Sequence, residues 1–139
     1  VVSSLIKDYS ATNPNGFLLY FSDHGEEVYD TPPHNIQGRN EAAPTRHMYS
    51  IPFILWTSPS WQQAHPRDFT SMTNRKYSSS ELIHTWSDMA GLKYDLFNPE
   101  RSLVSPNFVE TTRWIGNPYA KKGLHDYDKL PYGDQVGNQ

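Results

Sequence analysis

Cysteine is absent from this 139-residue chain. No disulfide framework and no thiolate metal site can therefore be built, and any metal must be held by nitrogen and oxygen. The compartment stays open, because a chain without Cys suits cytoplasm and periplasm equally. Concentrated charge of one sign is missing too. Twelve Lys and Arg stand against 15 Asp and Glu, a net charge of -3, and the basic residues are spread along the chain. That balance gives no basic footprint for nucleic acid, and its self-repulsion is too mild to imply disorder. No apolar run approaches the ~20 residues needed to cross a bilayer, and no signal peptide with a basic start and an apolar centre is present. The chain by itself is expected to be soluble. Internal repeats and low-complexity segments are lacking as well. An initiating Met is missing: the chain opens on "VVSSLIKDY", which reads as the middle or end of a helix without a start signal, and so as a fragment.

What is present is 36% hydrophobic and 14% aromatic, enough for the modest core of a single domain. Val2, Leu5, Ile6 and Tyr9 recur at helical spacing, and "SATNPNG" supplies the stop. "FLLYFS" follows as a near-continuous apolar run of strand length, the pattern of a strand covered on both faces. Helix, short turn and buried strand make half of an α/β unit. Residues 25–50 are polar and show neither periodicity, so a long functional loop is expected there. "SIPFILWTS" reads as a second buried strand. "SPSWQQAHP" reads as a short helix with Ser58 as N-cap and Pro59 at the first helical position. In "SSSELIHTWSDMAGL", Ser79 or Ser80 caps a helix whose apolar face is Leu82, Ile83, Trp86 and Met89, with Gly91 as terminator. One short strand is expected near Val109 to Ile115, and residues 118–139 are expected to form an extended tail.

Chemistry enters at "GFLLYFSDHGEEVYDTPPH", where the apolar run stops at Ser22 and Asp23 and His24 follow at once. Ligands in open α/β sheets bind just outside the carboxyl ends of strands. There the chain turns, and Gly25 permits a sharp bend that brings a carboxylate and an imidazole toward one centre. That pair suits a divalent cation of the zinc or manganese type. The alternative is a structural cap and a hydrogen-bonded histidine, and the residue types alone do not separate the two.

"YFSDHGEEVYD", "GRNEAAPTRHMYSIPFILW" and "SSELIHTWSDMAGL" together resemble the C-terminal part of the phosphoethanolamine transferases, a branch of the alkaline phosphatase and sulfatase superfamily. The chain is similar in particular to the enzymes that decorate the heptose region of the lipopolysaccharide core. The resemblance implies an α/β fold, residues 1–139 being the C-terminal portion of a sulfatase-like sandwich whose central, mostly parallel sheet is flanked by helices. It implies a zinc-dependent enzyme anchored in the bacterial inner membrane through a region preceding this chain, with its catalytic domain in the periplasm. Phosphatidylethanolamine would be the donor and a core sugar the acceptor. Asp23 and His24 match the family's adjacent zinc ligands. The family's loop histidine, near the transferred phosphate, corresponds best to His34, with His47 as its rival. The nucleophile and a further carboxylate ligand are expected upstream, so the fragment alone is expected to be inactive and, with unpaired strand edges, prone to self-association.

The chemistry explains these parts. A phosphodiester is anionic and resists attack, so a cation must neutralise the transferring group and activate the attacking hydroxyl. A loop imidazole such as His34 suits protonation of the leaving oxygen. Arg39 and Arg46 are candidate phosphate contacts, against the alternative of solvated charges paired with Glu41 or Glu26. Glu26 and Glu27 are candidates for orienting the ligands. His84 reads as a packing or surface histidine, and Trp56, Trp61, Trp86 and Trp114 as core residues rather than sugar platforms. Two other readings remain open on the residues: a phosphatase-like or sulfatase-like hydrolase, and a non-catalytic aromatic-rich binding module.

Overall fold

A computed structural model describes residues 1–131. The chain divides into two compact units, Val1–Tyr20 with Ile54–Thr111, and Phe21–Phe53 with Thr112–Gln139.

In the first unit, α1 spans Val2–Thr12 and stops at Asn13, whose backbone N–H and side-chain amide both donate to the Tyr9 carbonyl. Strand β1 is Phe17–Phe21 and pairs with β4, Phe53–Thr57. Gly16 exchanges hydrogen bonds with Ser58, and the Phe21 ring stacks on Phe53 at 6.2 Å, so the two strands run in opposite directions. Cover on both faces of β1 was expected; Phe17 to Leu19 are instead half-buried, and Tyr20 and Phe21 are exposed. Helix α1 likewise buries none of its own residues.

The short helix α2, Pro59–Ala64, starts as expected: the Ser58 hydroxyl accepts the Trp61 N–H, and Pro59 occupies the first turn. Trp61 joins Met89 and Val104 in a buried cluster, with Phe17, Leu55, Phe69 and Met72 packed around it. Truncating a core Trp of this kind to Ala costs about 3–5 kcal/mol.

Helix α3, Leu82–Ala90, follows a 3-10 turn at Ser79–Glu81, so the cap falls one residue before the expected Ser79, at Ser78. Gly91 ends it in the left-handed conformation, φ +68, and the Leu92 N–H reaches back to the Ser87 carbonyl. The buried face is not the expected one. Met89 is enclosed, but Ile83 and Trp86 are 55% and 45% exposed, whereas His84, Thr85 and Ser87 are buried. Polar partners from distant sequence account for this. The Leu103 N–H donates to the Thr85 hydroxyl oxygen, that hydroxyl donates to Tyr77, and the Asn98 N–H donates to His84 Nδ1. Arg67 and Arg75 hold the covering segment through the carbonyls of Leu103, Val104 and Ser105.

In the second unit, the segment expected as a long loop contains a small antiparallel pair, β2 at Glu27–Val28 and β3 at Gln37–Gly38. Two-residue strands carry no periodicity, which is why pattern did not separate them from loop. Strand β5, Trp114–Gly116, begins later than expected and pairs antiparallel with β6, Leu124–Asp126. A 3-10 turn at Tyr127–Lys129 follows, capped by the Asp126 carboxylate. The expected tail thus holds ordered elements from 118 to 131, because the β5–β6 pairing satisfies its backbone; its remainder, 132–139, lies outside the described residues. The strand pairs among the described residues are short and antiparallel, joined to helices in an α/β arrangement.

Candidate functional site

Strand β1 ends at Phe21, and Asp23 and His24 lie in the turn just beyond it. Asp23 Oδ1 accepts the His24 backbone N–H at 3.0 Å, and the Ser22 hydroxyl donates to the His24 carbonyl at 2.8 Å. These local bonds fold the motif back on itself. His24 Nδ1 lies 3.0 Å from the Gly25 carbonyl, which can only accept, so Nδ1 carries the proton. In the neutral ring the lone pair then sits on Nε2, 3.9 Å from Asp23 Oδ2. A ligating imidazole ordinarily has its other nitrogen tied in this way. The donor set, one imidazole nitrogen and one carboxylate oxygen facing each other at the surface, fits a zinc-type cation. Among the described residues no third His, Asp or Glu joins them in a group able to hold a metal.

Gly25 acts through close approach rather than through an unusual dihedral. It is buried, and a Cβ there would sit 2.5 Å from the carbonyl oxygens of both His47 and Ser50. The turn at 46–50, closed by N–H groups of Tyr49 and Ser50 on the Arg46 carbonyl, therefore packs directly on the motif.

Glu27, two residues after Gly25, is completely enclosed at 0% exposure. Its Oε1 accepts the Thr31 N–H at 2.6 Å, and its Oε2 accepts the hydroxyls of Thr31 at 2.8 Å and Thr45 at 2.5 Å. Burial alone would push this carboxyl up, but the bonds from Thr45, Thr31 and the backbone outweigh it and hold Glu27 below its ordinary value. Glu26, the neighbour of identical chemistry, is exposed. Sequence could weigh both as ligand-orienting acids, but only the hydroxyls at 31 and 45 tell them apart.

The remaining sequence candidates fall as follows. His34 is exposed, in the left-handed region at φ +62, with its N–H on the Thr31 carbonyl and Nδ1 2.6 Å from the Tyr29 carbonyl. His47 belongs to the turn packed on Gly25. Neither is brought with Asp23 and His24 into a metal-binding group among the described residues. Arg39 lies 4.0 Å from Glu41 and over the Tyr49 ring. Arg46 donates to the carbonyls of Leu130 and Asp128 and stacks on Tyr127. His84 is buried against Phe97, the packing histidine expected. Trp61 is core and Trp56 meets Tyr9 edge-on, whereas Trp86 and Trp114 are exposed.

Comparison with known proteins identifies the family. Residues 1–92 match the family model described as Sulfatase. The chain is 73% identical over its full 139 residues to phosphoethanolamine transferase EptC of Escherichia coli strain K12, and 76% identical over 129 residues to phosphoethanolamine transferase CptA of Salmonella typhimurium strain LT2. It spans 24% and 22% of the length of those curated relatives. The crystal structure of the C-terminal periplasmic domain of EptC from Escherichia coli superposes with a TM-score of 0.92 over the whole chain, which covers 39% of that domain. The same domain in complex with Zn superposes with a TM-score of 0.91. No described helix is long and apolar enough to cross a membrane. Matched by the family model over well more than half its length, and sharing the fold of the EptC domain at 73% identity, this chain belongs to the sulfatase family.

Proposed function

We propose that the protein carrying this chain is a zinc-dependent phosphoethanolamine transferase that moves phosphoethanolamine from phosphatidylethanolamine to a heptose of the lipopolysaccharide core. The observation that carries this reading is the facing pair of His24 Nε2 and Asp23 Oδ2, with the opposite ring nitrogen tied to the Gly25 carbonyl. Kinship with EptC and CptA supports the phosphoethanolamine chemistry, and the Zn complex of the EptC domain supports the metal.

In this reading Asp23 contributes the negative charge that holds the cation, and His24 contributes a neutral nitrogen that leaves it electrophilic. Zinc bound there supplies charge neutralisation of the phosphodiester and lowers the pKa of the attacking hydroxyl. The nucleophile and the other ligands come from the part of the domain that this chain does not span. In this reading His34, exposed and with Nδ1 beside the Tyr29 carbonyl, protonates the leaving oxygen or hydrogen-bonds the phosphoryl group. The reaction takes place at the periplasmic face of the inner membrane, where donor and acceptor lipids meet.

The test is zinc content and transfer activity of the full-length protein beside an Asp23→Ala, His24→Ala double variant. Loss of metal together with loss of phosphoethanolamine on the core, read by mass spectrometry, is expected. Equal metal content in the two proteins sinks the ligand assignment, and transfer to another acceptor sinks the acceptor.

A further inference from the structure

Enclosing an ionised carboxylate is expensive, and an apolar side chain of similar volume usually serves folding as well or better. Glu27 is nevertheless enclosed and ionised, held by the neutral donors of Thr31, Thr45 and the backbone. A stability role alone does not account for that choice. What the carboxylate does achieve is to join three separate stretches of chain, each of which carries a candidate site residue.

The first stretch is its own, with Asp23 and His24 four and three residues before it. The second starts at Thr31, whose carbonyl in turn receives the His34 N–H at 2.8 Å. The third contains Thr45, two residues before His47, whose carbonyl lies against Gly25. Moving the carboxylate by the length of one bond would break contact with at least one of these stretches, since all its bonds lie between 2.5 and 2.8 Å. We infer that Glu27 is a positioning residue, its carboxylate setting the strand end that carries Asp23 and His24 in register with the two histidine-bearing turns at 31–34 and 45–50. The inference rests on the transferase reading for what the register serves, but not for the register itself.

The test compares Glu27→Gln with Asp88→Asn in the full-length holoprotein. Gln keeps the volume and one acceptor oxygen, but replaces the other with a donor that faces two hydroxyls already donating. Asp88 is the control, an acid held by Arg67 and Ser102 and outside the site. Partners that orient metal ligands typically matter by about 10–100-fold in metal affinity or activity, so Glu27→Gln is expected to weaken zinc binding and lower kcat by a factor in that range, with KM for the phospholipid little changed. Amide exchange at His34 is expected to quicken. Asp88→Asn is expected to lower the melting temperature without moving zinc affinity.

Equal changes in zinc affinity and kcat for the two variants at matched melting temperature would overturn the inference. Should Glu27→Gln fail to fold, Thr45→Val and Thr45→Ser carry the test: loss with Val and recovery with Ser is expected, and loss with both overturns it. If wild-type protein binds zinc but transfers no phosphoethanolamine, the transferase reading fails while the zinc and exchange measurements still judge Glu27. If wild-type protein transfers and Glu27→Gln matches it in rate and zinc affinity, the Glu27 inference alone fails.

Discussion

His24 Nε2 faces Asp23 Oδ2 across 3.9 Å while Nδ1 of the same ring is anchored on the Gly25 carbonyl. Two ligands converging on one ion are energetically coupled, so their removals do not add. Asp23→Ala and His24→Ala are each expected to abolish most zinc binding in the full-length protein, with the double variant little worse than either. Additive effects in metal titrations of the three variants would mean that the residues serve separate centres.

Gly25→Ala places a methyl group 2.5 Å from two backbone carbonyl oxygens, neither on a flexible side chain. The turn at 46–50 must move to admit it, a strain of about 1–3 kcal/mol. A lowered urea midpoint with weakened zinc binding is expected. An unchanged midpoint would show that the packing of this turn on the motif is loose.

Acid sensitivity follows from Glu27 and Asp88. Both are held below their ordinary values of 4.5 and 3.8. In each case burial pushes upward and is outweighed, in Asp88 by the hydrogen bonds of Arg67 and Ser102 and the charge of Arg67. A depressed folded-state value means that the unfolded chain binds protons first. The contribution is complete above the ordinary value and is lost as pH falls through the lowered one. Stability measured across this window is expected to fall less steeply in Glu27→Gln than in wild type.

Tyr77 gives the opposite sign at alkaline pH. Burial pushes its phenol up to about 12, the Thr85 hydroxyl opposing and the Glu81 charge adding to the rise. Its contribution to stability is complete below the ordinary 10.0 and is lost as pH climbs toward the raised value. An ultraviolet titration is expected to show a late-ionising phenol that is absent in Tyr77→Phe. A titration curve unchanged by that substitution would contradict the environment described.

Arg46 supports the segment after β6 through the carbonyls of Asp128 and Leu130. Hydrogen bonds from a charged donor contribute about 1.5–3 kcal/mol. Arg46→Ala is expected to speed proteolysis after residue 126, and Arg46→Lys to restore little, since an ammonium lacks the guanidinium's fork. Wild-type resistance in Arg46→Ala would remove this clamp.

Much of the chain was readable from pattern because local physics sets it. Asn13 to Gly16 stop α1, Ser58 with Pro59 starts α2, and Gly91 ends α3. The apolar run placed Asp23 and His24 just past a strand end. What escaped depends on partners far away in sequence. Ile83 and Trp86 looked like core, yet they are exposed while His84, Thr85 and Ser87 are buried, and the N–H groups of Asn98 and Leu103 are what His84 and Thr85 meet. Glu26 and Glu27 are chemically identical, and only Thr31 and Thr45 decide which is enclosed.

Ser58 does more than begin a helix. Its hydroxyl oxygen receives the N–H groups of both Trp61 and Gly16, and its own N–H returns to the Gly16 carbonyl. One buried side chain thus pins the residue before β1 to the residue after β4. The strand pair works as a ruler with a fixed zero, along which a one-residue insertion or deletion would turn every side chain to the opposite face. The number of residues between Gly16 and the Asp-His turn therefore decides which face of the strand each side chain on the way takes.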